Sequence, residues 1–211
     1  MMEVQRHGFT FEEWVSDVFF DGYNGKYMQK WDIPAEHNQS TLLPPELRSL
    51  PVSVKLIKYG SSIALGDVLR QRTIDTDFLI IVGFWRQTSP TEKNIVEIAA
   101  MKFLRGDWQA LWSDLTLEGL QEIDRHIKNP NLHYSQARAD AKQWKLRPEV
   151  KRCRLIINPK IDSKTQRRVQ CSLPFRLFWE LAGRKPEPSS QPALFGQAFP
   201  NPILSPSRTF N

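Results

Sequence analysis

The run Phe78-Leu79-Ile80-Ile81-Val82-Gly83-Phe84-Trp85, led by Asp77, constrains the fold more than any other stretch of the chain. An unbroken apolar segment of strand length has no polar face to offer to water. It belongs at the centre of a sheet that is covered on both faces, which requires helices or further layers above and below it.

The flanking segments supply those layers. Phe9 to Phe20 reads as an amphipathic helix, with Phe11, Trp14, Val15, Val18 and Phe19 at helical spacing. Thr10 is its expected N-cap, ahead of Glu12 and Glu13 in the first turn. Lys26 to Trp31 reads as a first strand, Val52 to Lys58 as a second, Ile63 to Arg72 as a short helix, and Asn94 to Leu104 as a further strand. Asp107 to Ile127 supplies one or two helices, and Tyr134 to Trp144 a polar one. Cys153 to Asn158 and Arg168 to Ser172 enclose Pro159 to Arg167 as a β-hairpin, and Phe175 to Ala182 closes the folded part as an aromatic helix. This order is that of an α/β protein with a central mixed sheet flanked by helices.

At 211 residues the chain suits one sizeable domain, expected over residues 1–184. The Pro- and Ser-rich residues 185–211 read as an extended tail, anchored if at all by Leu194, Phe195 and Phe199. No segment approaches about 18 consecutive apolar residues, and the N-terminus lacks an apolar signal core. No membrane partner and a cytoplasmic location are therefore expected. Cys153 and Cys171 lack metal-ligand spacing and read as reduced buried thiols.

The chemistry-bearing residues sit before and within the second strand. Strand residues two apart share a face, so Ser53 and Lys55 lie together, while Val52, Val54 and Leu56 fill the other side. A lysine inside an apolar strand is costly unless it is paired or in use. Asp32 is its natural partner. Taken singly, Asp32 is also how a turn-forming aspartate looks, and Lys55 how a strand-edge lysine looks. The pair is what points to a site: a carboxylate to hold a hard cation such as Mg²⁺, and an ammonium to meet the charge that develops on a phosphate under attack.

Asp32, the connection after it, and Ser53-Val54-Lys55 resemble the PD-(D/E)XK nuclease superfamily, whose best-known members are type II restriction endonucleases. Gly8, Phe11, Glu12 and Val15 match the G-x-x-F-E-x-x-V helix that opens several of its branches. The resemblance covers Gly8 to Trp85. It implies a restriction-endonuclease-like sheet and a Mg²⁺-dependent endonuclease cutting a specific short double-stranded DNA sequence. Asp32 would be the central metal ligand, Lys55 the catalytic lysine and Glu12 an outer ligand. Ser53 stands at the catalytic position of the second acid. Serine does not replace a carboxylate, so the missing ligand is sought at Asp67, twelve positions after Lys55, or at Glu36. The alternatives left open are a structure-selective or repair nuclease of the same superfamily, and an inactive DNA-binding relative.

A net charge of +6 is compatible with a polyanionic partner, and the basic residues concentrate between Lys142 and Lys185. Within that region Lys164, Arg167 and Arg168, at or beside the hairpin tip, are the expected DNA contacts, because a two-stranded ribbon fits the major groove. Lys58, near the end of its strand, is a further candidate. A homodimer is expected, because a two-fold protein matches palindromic DNA.

Overall fold

A computed structural model describes residues 3–25, 30–163 and 165–204, with residues 3–9 described by backbone alone. The helices are α1 (Glu3–Phe19), α2 (Val68–Arg72), α3 (Arg105–Ala110), α4 (Leu117–Lys128), α5 (Tyr134–Trp144), α6 (Pro148–Arg152) and α7 (Phe175–Leu181). The strands are β1 (Val52–Lys58), β2 (Ile63–Asp67), β3 (Phe78–Ser89), β4 (Glu92–Phe103), β5 (Ile156–Ile161), β6 (Arg167–Leu173), β7 (Ala193–Leu194), β8 (Gln197–Ala198) and β9 (Ile203–Leu204). The protein is a mixed α/β structure that divides into two compact units. One contains residues 1–61, 77–103 and 179–211, and the other residues 62–76 and 104–178.

In the first unit the apolar run becomes β3, and residues 78–84 are all buried. The sheet order is β1-β3-β4-β9, with β1 parallel to β3 and the other neighbours antiparallel. Val52, Val54 and Leu56 stand opposite Leu79, Ile81 and Gly83, so all six side-chain positions share one face. On that face α1 packs through Phe11, Val15 and Phe19. Gly83 makes the close approach feasible: a Cβ there would lie 2.8 Å from Cζ and 2.9 Å from Cε2 of the Phe11 ring. Here glycine is a packing requirement of the helix above it.

Residues 185–204 are tied into this unit and do not trail from it. The buried Glu97 carboxylate on β4 takes the Arg184 guanidinium at 3.0 Å and the Glu187 N–H at 2.6 Å. Asn201 imitates a strand neighbour, accepting from the Ile95 N–H at 2.9 Å and donating to the Ile95 carbonyl at 2.8 Å. Leu194, Phe199 and Ile203 are buried in the core, and Phe195 packs against it.

The second unit carries an antiparallel sheet in the order β2-β6-β5. The expected hairpin is present, with its first arm shifted to Ile156–Ile161, its second arm longer, and a shorter turn between them than the sequence suggests. Both cysteines are free and buried. Burial pushes the Cys153 thiol up to about 11 and raises Cys171 further.

Three local expectations change. The first helix begins at Glu3, so Thr10 lies inside it and is no cap. Ile63 to Asp67 is a strand, with Ile63 and Leu65 inward and Ala64 outward, and only Val68–Arg72 is helical. Among residues 26–31, Lys30 and Trp31 form a bend and not a strand, while residues 26–29 lie outside the described residues. None of the described helices is long and apolar enough to cross a membrane.

Candidate active site

The open edge of β1 is where Asp32 enters. Ile33 pairs with Val52 as an isolated antiparallel bridge, the Ile33 N–H reaching the Val52 carbonyl at 3.1 Å and the Val52 N–H returning at 2.8 Å. A strand continuing backwards would next offer a carbonyl to Val54. The chain bends instead, and the Asp32 side chain takes that rung: Oδ2 accepts the Val54 N–H at 2.6 Å. The same oxygen accepts Lys55 Nζ at 3.0 Å and Ser53 Oγ at 3.2 Å. Lys55 Nζ also donates to the Val54 carbonyl at 2.8 Å. Asp32 Oδ1 takes no hydrogen bond from any described residue. Both side chains keep partial access to solvent, 27% for Asp32 and 23% for Lys55.

The bend is held on both sides. Before it, the Trp31 ring lies against Phe78 with centroids 5.2 Å apart. After it, the buried Asn38 gathers the connection to β1, donating to the carbonyls of Leu47 at 2.7 Å and Leu50 at 2.9 Å. Its backbone carbonyl accepts the Ser49 N–H at 2.8 Å. Sequence reasoning passes over Asn38, because one asparagine in a polar, proline-bearing connection has no periodic signature.

Glu12, on α1, feels the charges of Asp32 and Lys55 through space. Burial raises its pKa, the negative charge of Asp32 raises it further, and Lys55 pulls it back down. Loss of water and a neighbouring negative charge both disfavour the ionised carboxyl of Glu12, and a bound cation would favour it.

The other candidates are placed differently. Glu36 is exposed in a single 3-10 turn and makes no ion pair with a described residue. Asp67 belongs to the second unit, where it caps α2 by accepting the Arg70 N–H at 2.9 Å. Lys58 is exposed at the end of β1. Lys164 lies outside the described residues. Arg168 is partly exposed and pairs with Asp162 at 3.1 Å. Arg167, expected as a DNA contact at the hairpin tip, is not presented there. It is buried, and it donates to the carbonyls of Ile127, Asn129 and Leu132, each at 2.9 Å, tying β6 to the end of α4. Strand alternation turns this arginine inward, while its neighbour in sequence faces out.

Among the described residues no group of three His, Cys, Asp or Glu side chains is placed to hold a metal ion. Mg²⁺ commonly keeps most of its waters and takes only one or two carboxylates besides substrate phosphate, a donor type that Asp32 and Glu12 would supply. No protein-family model, curated protein or solved structure matches this chain.

Proposed function

We propose that the chain is a Mg²⁺-dependent endodeoxyribonuclease with a PD-(D/E)XK-like, restriction-endonuclease-like fold, cutting double-stranded DNA at a short defined sequence as a cytoplasmic homodimer. The observation that carries this reading is the single oxygen of Asp32 that gathers Lys55, Ser53 and the β1 backbone at a sheet edge, with Glu12 sharing its field.

In this reading Asp32 and Glu12 would hold Mg²⁺; Asp32 spends Oδ2 on Val54, Lys55 and Ser53 and keeps an Oδ1 that takes no hydrogen bond from a described residue. When bound, the ion supplies a water of lowered pKa and a Lewis acid for the phosphate. Asp32 is held rigid by the Val54 N–H, so its carboxylate does not need to reorganise when substrate arrives. Ser53 steadies the same oxygen and does not serve as a ligand. Lys55 is poised between Asp32 and the Val54 carbonyl, and it moves its ammonium toward a phosphate oxygen as negative charge builds there. Cleavage of plasmid DNA tests the reading. Mg²⁺ supports it, a chelator stops it, and Asp32→Asn abolishes it.

Ser53 at the position of the second acid favours one other reading, a DNA-binding relative without catalysis. Asp32 then serves only to close the strand edge. DNA affinity without Mg²⁺-dependent cleavage at any enzyme concentration would select it.

A further inference from the structure

The second unit carries a basic groove that the site above does not use. It lies between α5 and β5 and has a volume of about 430 Å³. Arg138, Lys142 and Lys145 form one stripe of α5 and its C-terminal end, at helical spacing of four and then three residues. Ala141 and Asp162 also line the groove, and Lys160 faces it from β5.

The cations divide into two kinds. Arg138 is structural: Nε and Nη2 donate to the Ile161 carbonyl at 3.0 and 2.7 Å, and its guanidinium lies 5.2 Å from the Tyr134 ring centroid. It fastens the helix to the strand. Lys142, Lys145 and Lys160 are exposed, and none of them pairs with a carboxylate of a described residue. The one acid on the wall, Asp162, is engaged by Arg168 at 3.1 Å. The helix dipole accounts for lysines at the end of α5 but not for a third lysine lining the same groove from a strand. Like charges converging on a concave surface focus a positive field and repel one another until an anion enters.

We propose that this groove grips the phosphate backbone of duplex DNA, with Lys142, Lys145 and Lys160 each neutralising a phosphate. The identity of the polymer rests on the nuclease reading; the three lysines along one groove, none paired with a described carboxylate, themselves ask for an anionic ligand with more than one charge. Lysines on flexible stems suit this task, because they meet phosphate as point charges and read no base. The groove therefore contributes affinity and register while leaving sequence choice to other residues.

The test is fluorescence anisotropy of a labelled mixed-sequence duplex with the full-length protein, in EDTA so that no cleavage occurs, at stepped KCl. Each phosphate contact contributes about 0.9 to the slope of log affinity against log salt. The variant K142A/K145A/K160A should lose about 2 to 3 from that slope and bind at least about tenfold more weakly near 0.1 M salt. The single variant Lys160→Glu, at one exposed position, should shift the slope in the same direction, with circular dichroism confirming a native melt. A triple variant with native slope and affinity overturns the proposal, as does a native protein with no salt-dependent duplex binding. Groove-dependent binding without Mg²⁺-dependent cleavage upholds the groove and rejects the nuclease. Cleavage with an unchanged slope in the triple variant does the reverse.

Discussion

Asp32 and Glu12 are both acids of the candidate site, yet their removal should move stability in opposite directions. Asp32 closes the edge of β1 through the Val54 N–H and pairs with Lys55. Asp32→Asn should therefore destabilise the fold by about 1 kcal/mol, the partial exposure of the pair keeping the loss small, as urea unfolding would show. Glu12 is raised above its ordinary value of 4.5 by burial and by Asp32. Between 4.5 and the raised value the folded state binds more protons than the unfolded state, so Glu12 costs stability as pH climbs through that window. In EDTA, Glu12→Gln should melt at a higher temperature than the native protein at pH 7, and the gain should vanish below pH 4.5. A lower melting temperature at pH 7 would contradict this account of Glu12. The Asp32–Lys55 pair is legible in the sequence, because strand parity and an unexplained lysine both point to it. The hydrogen bond to Val54 is not, since it depends on the chain bending at Trp31 where a strand is expected.

At the scale of elements, periodicity finds most of the fold. The continuous run of β3, the alternation of β1 and the span of α5 are written in residue pattern. β2 is not, because Ile63, Leu65, Val68 and Leu69 satisfy helical spacing as well as they do a strand followed by one helical turn. What decides is pairing with β6, a partner more than a hundred residues away in sequence. Gly83 tests how α1 sits on the sheet. Gly83→Ala places a methyl group against the Phe11 ring and should cost about 1–3 kcal/mol, measured by chemical denaturation. Arg167 tests the hairpin. Arg167→Met leaves three buried or partly buried carbonyls without their donor and should destabilise the protein by about 2–3 kcal/mol. An unchanged unfolding midpoint would return Arg167 to the list of surface contacts.

At the scale of the molecule, the charge excess is legible from composition, but its functional grouping is not. Lys142, Lys145 and Lys160 come together only because α5 lies along β5. The C-terminal segment shows the same limit. Proline and serine dominate it, yet Glu97 and the Ile95 backbone hold it to β4 through single side-chain contacts that composition does not reveal. The central claim concerns chemistry, and cleavage is its most direct test. Unmethylated bacteriophage DNA is incubated with Mg²⁺ and the native chain, with Lys55→Ala, and with native chain plus chelator. The account predicts discrete fragments from the native protein, a loss of about 10²- to 10³-fold in rate for Lys55→Ala, and no cleavage with chelator. DNA left intact across a wide range of native protein, or cut equally by Lys55→Ala, would contradict it.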